Sequence, residues 1–310
     1  MRILVVGAGA VGGYFGGRLA EAGCDVTFLV RERRAAQLSR TGLAIRSSFG
    51  DALLRPNLTK AEEIKEQYDL VLLSCKAYDL ESAMDSFAAA VGPRTVILPV
   101  LNGMRHLECL DARFGADKVL GGLCQIVATL DASGTILHMN DSHLIVFGER
   151  DGTRSERVET ISALMAAAVF GSRASETILQ DMWEKWVFLA TLAGITCLMR
   201  ASLGDIAAAG GAEISQALFR ECCLIAEHNG HGPGPKFTKR IEGMLQATDS
   251  SMTASMLRDI ERGGPIEVDQ VIVDLLRRAP EGMGPTALLR IVQVHLRAYE
   301  TRRLRGQATA

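Results

Sequence analysis

The chain has 310 residues, of which 48% are hydrophobic and 23% charged, with a formal net charge of −2. That length is too great for one small core and predicts two domains. The composition is that of a soluble globular protein, and the near-neutral balance leaves no electrostatic footprint for nucleic acid or an anionic membrane.

The chain begins with an apolar run, Met1-Arg2-Ile3-Leu4-Val5-Val6, that enters Gly7-Ala8-Gly9-Ala10-Val11-Gly12. A buried strand followed by G-x-G-x-x-G is the pattern of a strand turning into a helix around a dinucleotide pyrophosphate. Gly7 permits the tight turn, Gly9 lets backbone approach the phosphates, and Gly12 lets helix and strand pack closely. The helix then aims its N-terminal N–H groups at the anion. Residues 14–23 read as a helix ended by a glycine C-cap, and 25–30 as a second strand. Together these fill about thirty residues, the size of one βαβ unit. The alternative is a fortuitous glycine turn in another α/β domain. At the end of the second strand an acid would suit the ribose 2′-hydroxyl of NADH, and a cation the 2′-phosphate of NADPH. Here Val30 is followed by Arg31-Glu32-Arg33-Arg34. A guanidinium at Arg31 can grip a phosphate in bidentate fashion, so NADPH is favoured over a merely solvated charge run.

Further along, 43–47 and 52–54 read as short strands around a turn, and 68–75 as a buried strand. Residues 79–91 read as a helix with Leu80, Ala83, Met84 and Phe87 on one face, and 95–101 as the next strand. Strand-like pieces follow at 119–130, 135–139 and 143–147, and a helix at 156–170. The repeated βα units predict a Rossmann-type, doubly wound parallel sheet, with the late meander added at an edge. Residues 171–177 look like a connection. Beyond Gln180 nearly everything has helical periodicity, broken at Gly210-Gly211, 230–235, 263–265 and 280–285; 305–310 reads as a frayed tail. The expected architecture is therefore an α/β domain over 1–177 and an all-α domain over 178–310.

The seven cysteines form no C-x-x-C pair and mostly sit in apolar runs, which suits a reducing cytoplasm without structural disulfides. The six histidines show no metal spacing. The glycines at 7–13 interrupt any secretion-signal core. The longest uncharged apolar stretch, 186–199, is fenced by Lys185 and Arg200. It falls short of the roughly 20 residues a membrane-spanning helix needs, so no membrane is expected.

Ligands of an open α/β sheet sit outside the carboxyl ends of its strands. Strand 68–75 ends in Lys76-Ala77-Tyr78 and strand 95–101 in Asn102-Gly103. The lysine can meet a phosphate or an anionic substrate, and the Asn-Gly turn can present an amide; each could equally be a plain turn. Lys185 is expected to open a largely buried helix, either as a snorkelling cap or as an ammonium aimed into a cleft. Glu267 follows a Gly-Gly-Pro break and starts a helix, where the dipole favours a carboxylate in any case.

These residues resemble the ketopantoate reductase (2-dehydropantoate 2-reductase) family over nearly the whole chain. The resemblance rests on G-A-G-A-V-G at 7–12, Arg31, Cys75-Lys76-Ala77, Asn102-Gly103, Trp183-x-Lys185, and Ser255-Met256-Leu257-x-Asp259 followed by Glu267. It implies an N-terminal domain that binds NADPH through residues 7–12, Arg31, Lys76, Asn102 and Glu267. It implies Lys185 as the proton donor, Asn102, Lys185 and Ser255 as groups that meet a small 2-oxo acid, and a place in pantothenate biosynthesis. Glu267 could hydrogen-bond the lysine and orient it. The family's pattern then departs: asparagines expected four, eight and about eighteen residues past the lysine are Leu189, Ala193 and Leu203 here. A pocket stripped of such groups loses its discrimination for a hydroxylated substrate, so a more hydrophobic pocket is predicted. Two alternatives remain: a related hydroxyacid dehydrogenase, and a redox sensor that binds NADPH without turnover. The apolar helical domain could also support a homodimer.

Overall fold

The structure, a computed structural model, describes residues 1–282, 284 and 287–308. The chain divides into two compact units. The first is Met1–Leu101 with His106–Ile178, and the second is Leu179–Ala310 with the short segment Asn102–Arg105.

The first unit opens with β1 (Arg2–Val6), α1 (Ala10–Glu21), β2 (Asp25–Leu29) and α2 (Glu32–Thr41). It continues with β3 (Leu43–Arg46), β4 (Ala52–Leu54), β5 (Asn57–Thr59), β6 (Leu70–Leu73), α3 (Leu80–Phe87) and β7 (Val96–Pro99). Five strands make an all-parallel sheet in the order β5-β2-β1-β6-β7. Its strands β1, β6 and β7 are apolar runs because both faces of a parallel sheet are covered; Ile3, Leu4, Val5 and Leu70 through Leu73 are fully buried. On α3 the buried residues are Leu80, Ala83, Met84 and Phe87, the face that the periodicity specifies.

The remaining strands differ from the expected edge meander. After α4 (Arg105–Phe114), β8 (Gly121–Leu130) pairs antiparallel with β9 (Ile136–Gly148). With β3, β4 and β10 (Gly171–Ala174) they form a second sheet, and an isolated bridge between Val119 and Ile97 links it to the first. β9 is one strand where two pieces were expected. Residues 139–142 bulge out of the ladder, and the Asn140 side chain restores a bond by accepting from the Val127 N–H at 2.8 Å. β10 replaces the expected plain connection: Gly-Ser-Arg-Ala has no strand pattern, and parallel pairing with β9 makes it one. The helix expected over 156–170 is α5 (Glu156–Met165), which starts on a Ser155 cap.

Helix α1 lies between the two sheets and is buried along most of its length. The small residues Gly12, Gly13, Gly16 and Gly17 make this fit. A Cβ on Gly16 would come within 2.8 Å of Phe28 and Val5, and one on Gly17 within 2.9 Å of Ile45.

The second unit is helical: α6 (Ile178–Met199), α7 (Leu203–Ala208), α8 (Ala212–His228), α9 (Pro235–Gln246), α10 (Ser255–Glu261), α11 (Asp274–Arg277) and α12 (Leu288–Ala308). Pro235 starts α9 at a position where its missing N–H costs nothing. Glu221 on α8 accepts from the Leu288 and Leu289 N–H groups at 2.9 and 2.8 Å, which satisfies the start of α12. Helix continues through residues 305–308 rather than fraying; Thr309 and Ala310 lie outside the described residues, as do Met283 and Pro285 of the break at 280–285. By length and composition α6 could cross a membrane, yet 67% of its most apolar window is buried inside the protein, as in a core helix.

Candidate functional site

The candidate nucleotide end is built in the first unit from backbone geometry. Gly7 sits at φ +94°, a conformation other residues adopt only with strain. Gly9 caps α1. At Gly12 a Cβ would stand 2.1 Å from Ser74 Oγ and 2.2 Å from the Gly7 carbonyl oxygen, so only glycine lets α1 close on β1 and β6. At Gly9 a Cβ would meet nothing within 4 Å. The turn is thus packed on its inner side and open at Gly9, with the first N–H groups of α1 unsatisfied by the helix itself. That is a cradle a pyrophosphate fits.

Two neighbours hold the cradle, and the sequence did not single them out as site residues. Ser74 Oγ donates to the Val6 and Gly7 carbonyls at 3.1 and 3.3 Å. Arg34 Nε donates to the Ala8 carbonyl at 3.0 Å. Because the peptide is planar and trans, anchoring that oxygen turns the Gly9 N–H the opposite way. Ala8 is buried, and Ala10 and Val11 form the first turn of α1. Arg31 is the N-cap residue of α2, and its guanidinium donates to Asp79 Oδ1 at 2.8 Å and Ser82 Oγ at 3.2 Å. Lys76 is the N-cap of a short 3₁₀ turn, Ala77–Asp79, just past β6.

The second unit carries the other named residues. Lys185 does not open a helix; α6 begins at Ile178, so the lysine lies two turns inside it, half-buried. It makes no hydrogen bond or ion pair among the described residues, so the expected bond from Glu267 is not formed. Glu267, 7% exposed, instead faces Asn102, whose Nδ2 is 3.5 Å from Glu267 Oε2, the outer limit of a hydrogen bond. Gly103 turns the chain at φ +76°, and a Cβ there would meet the Gln270 carbonyl oxygen at 2.6 Å. Beyond Glu267 the backbone makes a π-helical turn, Asp269–Val273, a feature frequent at functional sites. The buried Trp186 Nε1 donates to the Val271 carbonyl of that turn at 2.9 Å, which ties it to the helix that bears Lys185. Ser255 is the exposed first residue of α10. Of the three apolar replacements, Leu189 is half-buried one turn beyond Lys185, whereas Ala193 and Leu203 are 4% and 1% exposed.

The family model described as Ketopantoate reductase PanE/ApbA matches residues 3–152, and its C-terminal counterpart matches residues 177–300. The chain belongs to the ketopantoate reductase family. It is 40% identical to the "Uncharacterized oxidoreductase YkpB" of Bacillus subtilis (strain 168), over 97% of this chain and 99% of that protein. It is 30% identical to a 2-dehydropantoate 2-reductase of Mesorhizobium japonicum, over 94% of this chain and 97% of the relative. Among solved structures, the 2-dehydropantoate 2-reductase from Methylococcus capsulatus superposes with a TM-score of 0.86 at 27% identity, covering 98% of both chains. A parallel sheet with helices followed by a helical unit is the fold of this family of oxidoreductases.

Proposed function

We propose that this chain reduces a 2-oxo acid to the 2-hydroxy acid with NADPH, and that its substrate is more apolar than ketopantoate. The observation that carries the reading is the glycine cradle with Arg31 at the end of β2: an open anion-binding turn beside a cation suited to a 2′-phosphate. When bound, NADPH would supply hydride to the C2 carbonyl. The residues of the chain do the rest. The N–H groups at the start of α1 bind the pyrophosphate, with Lys76 a further cation at the neighbouring strand end. Lys185, whose ammonium has no partner among the described residues, stabilises charge developing on the ketone oxygen and donates the proton. Ser255 and the Asn102 amide orient the acid. Glu267 is assigned to the cofactor side through its contact with Asn102. The apolar preference rests on Leu189, the replacement beside Lys185 that keeps exposed surface. A leucine there offers no partner to a substrate hydroxyl, and an unpaired polar group is poorly accommodated.

Steady-state kinetics decide the matter. Ketopantoate and a panel of branched and aromatic 2-oxo acids are compared, with oxidation of NADPH and of NADH followed by absorbance. The expected result is a higher kcat/KM for an apolar acid with NADPH. A clear preference for ketopantoate removes the specificity claim. Failure to oxidise either nucleotide with any acid removes the reductase reading.

A further inference from the structure

In the parallel sheet β1 lies between β2 and β6. Its glycine turn is therefore flanked by the segments that leave those two strands, Arg31 on one side and Asp79 on the other. Their side chains meet: the guanidinium is 2.8 Å from Asp79 Oδ1. Neighbouring strands stand about 4.8 Å apart, so the pair spans two strand spacings beyond the carboxyl end of β1. The Arg31 side chain is 75% exposed and that of Asp79 35%, so water and an incoming anion both reach the contact. Glu32, the residue next to Arg31, is engaged by Lys60 at 2.5 Å. Asp79 is the carboxylate that occupies Arg31.

The geometry points to Asp79 as a residue that sets nucleotide specificity: it is the resident counter-ion of Arg31, which a 2′-phosphate must displace. The inference rests on the NADPH reading above. A phosphomonoester carries more charge than a carboxylate and three acceptor oxygens to its two, so it wins the exchange. A 2′-hydroxyl brings no charge and leaves the ion pair in place. Asp79 therefore weakens binding of the phosphorylated nucleotide alone. The effect is modest, because the pair is exposed and screened by salt. Asp79 acts through Arg31 and is a positioning residue, not a catalytic one. Ser82, whose hydroxyl accepts from Arg31 at 3.2 Å, keeps the guanidinium in place after the carboxylate is displaced.

The test is equilibrium binding to the full chain, wild type and the variants Asp79→Asn, Arg31→Ala and the double variant. The probes are NADPH, NADH, adenosine 2′,5′-bisphosphate and adenosine 5′-monophosphate. Asp79→Asn is expected to tighten NADPH and the bisphosphate by about three- to fivefold at low salt, less at high salt, and to leave NADH and the monophosphate within about twofold. In the Arg31→Ala background the same change is expected to do nothing. Weaker binding of the phosphorylated probes by Asp79→Asn, no change in their binding, or equal tightening of all four probes overturns the role of Asp79. If Arg31→Ala by itself leaves NADPH as tight as in wild type, the NADPH reading at Arg31 falls, and this inference with it. A losing Asp79→Asn in a protein still discriminated by Arg31 sinks the inference alone. Asp79→Ser, with an unchanged melting temperature, substitutes if the asparagine variant misfolds.

Discussion

The glycine turn after β1 and helix α6 contribute to the proposed chemistry by opposite means. At the turn, what matters is atoms that are missing: Gly12 has no room for a Cβ, and Gly9 leaves space that a ligand can enter. On α6, what matters is an added atom group, the ammonium of Lys185, carried by a helix that is otherwise largely buried. The first kind of site is damaged by adding mass and the second by removing it. The comparison also separates stability from function. Gly12 is tied to the packing of the first unit, whereas Lys185 has no partner among the described residues whose loss would unfold the second.

The largest expected effect tests the α6 half of that contrast. Lys185→Ala is expected to lower kcat by about 10²–10⁴-fold, the usual range for a general acid, with an unchanged melting temperature. Wild-type turnover by this variant would place the proton donor elsewhere. At the turn, two alanines should behave differently although they sit three residues apart. Gly12→Ala drives a Cβ against Ser74 and the Gly7 carbonyl and is expected to destabilise the fold by roughly 1–3 kcal/mol. Gly9→Ala meets no protein atom, so the melting temperature should hold while NADPH affinity falls by roughly tenfold. Equal thermal destabilisation by both would mean that the open side of the turn is not a ligand site.

The smallest effect concerns a region apart from either site. Tyr14, fully buried on α1, has its hydroxyl bonded to His143 Nδ1 at 2.8 Å, and the His143 ring stacks on Phe49. Burial, then His138, then Arg18 hold the His143 pKa below its ordinary value. The unfolded chain therefore binds the proton more readily than the folded one. The stabilisation is complete above the unfolded pKa of about 6.5 and is lost as pH falls below it. Melting curves at about pH 7.5 and 5.5 should show wild type losing stability on acidification, and His143→Gln losing less. Parallel losses would assign the pH dependence to other groups.

Much of the fold was legible because three strands of the parallel sheet are almost wholly buried. The runs at 1–6, 68–75 and 95–101 contain β1, β6 and β7, and the apolar face of α3 was given by its spacing. What escaped is what pairing creates. β5 and β10 are short and mixed in composition, and they are strands because β2 and β9 lie beside them. Helix α4, with mean polarity and only His106, Leu107 and Leu110 buried, also passed unread. One signal was present and unused: Gly12-Gly13 and Gly16-Gly17, four residues apart, mark a helix that must approach two sheets. For the candidate site, the glycine motif and the polar ends of β6 and β7 could be named from one sequence. Their partners could not: Ser74 and Arg34 at the cradle, Asp79 at Arg31, and Trp186 at the π-helical turn.

The order of residues by itself determined where the glycine turn is, because the steric demands there are local and act within a few residues of Gly7. Only the tertiary structure decided which carboxylate faces which cation. Asp79 reaches Arg31, and Glu267 faces Asn102 rather than Lys185. Such pairings join residues far apart in the chain, and strand order and helix packing set them, not spacing along the sequence.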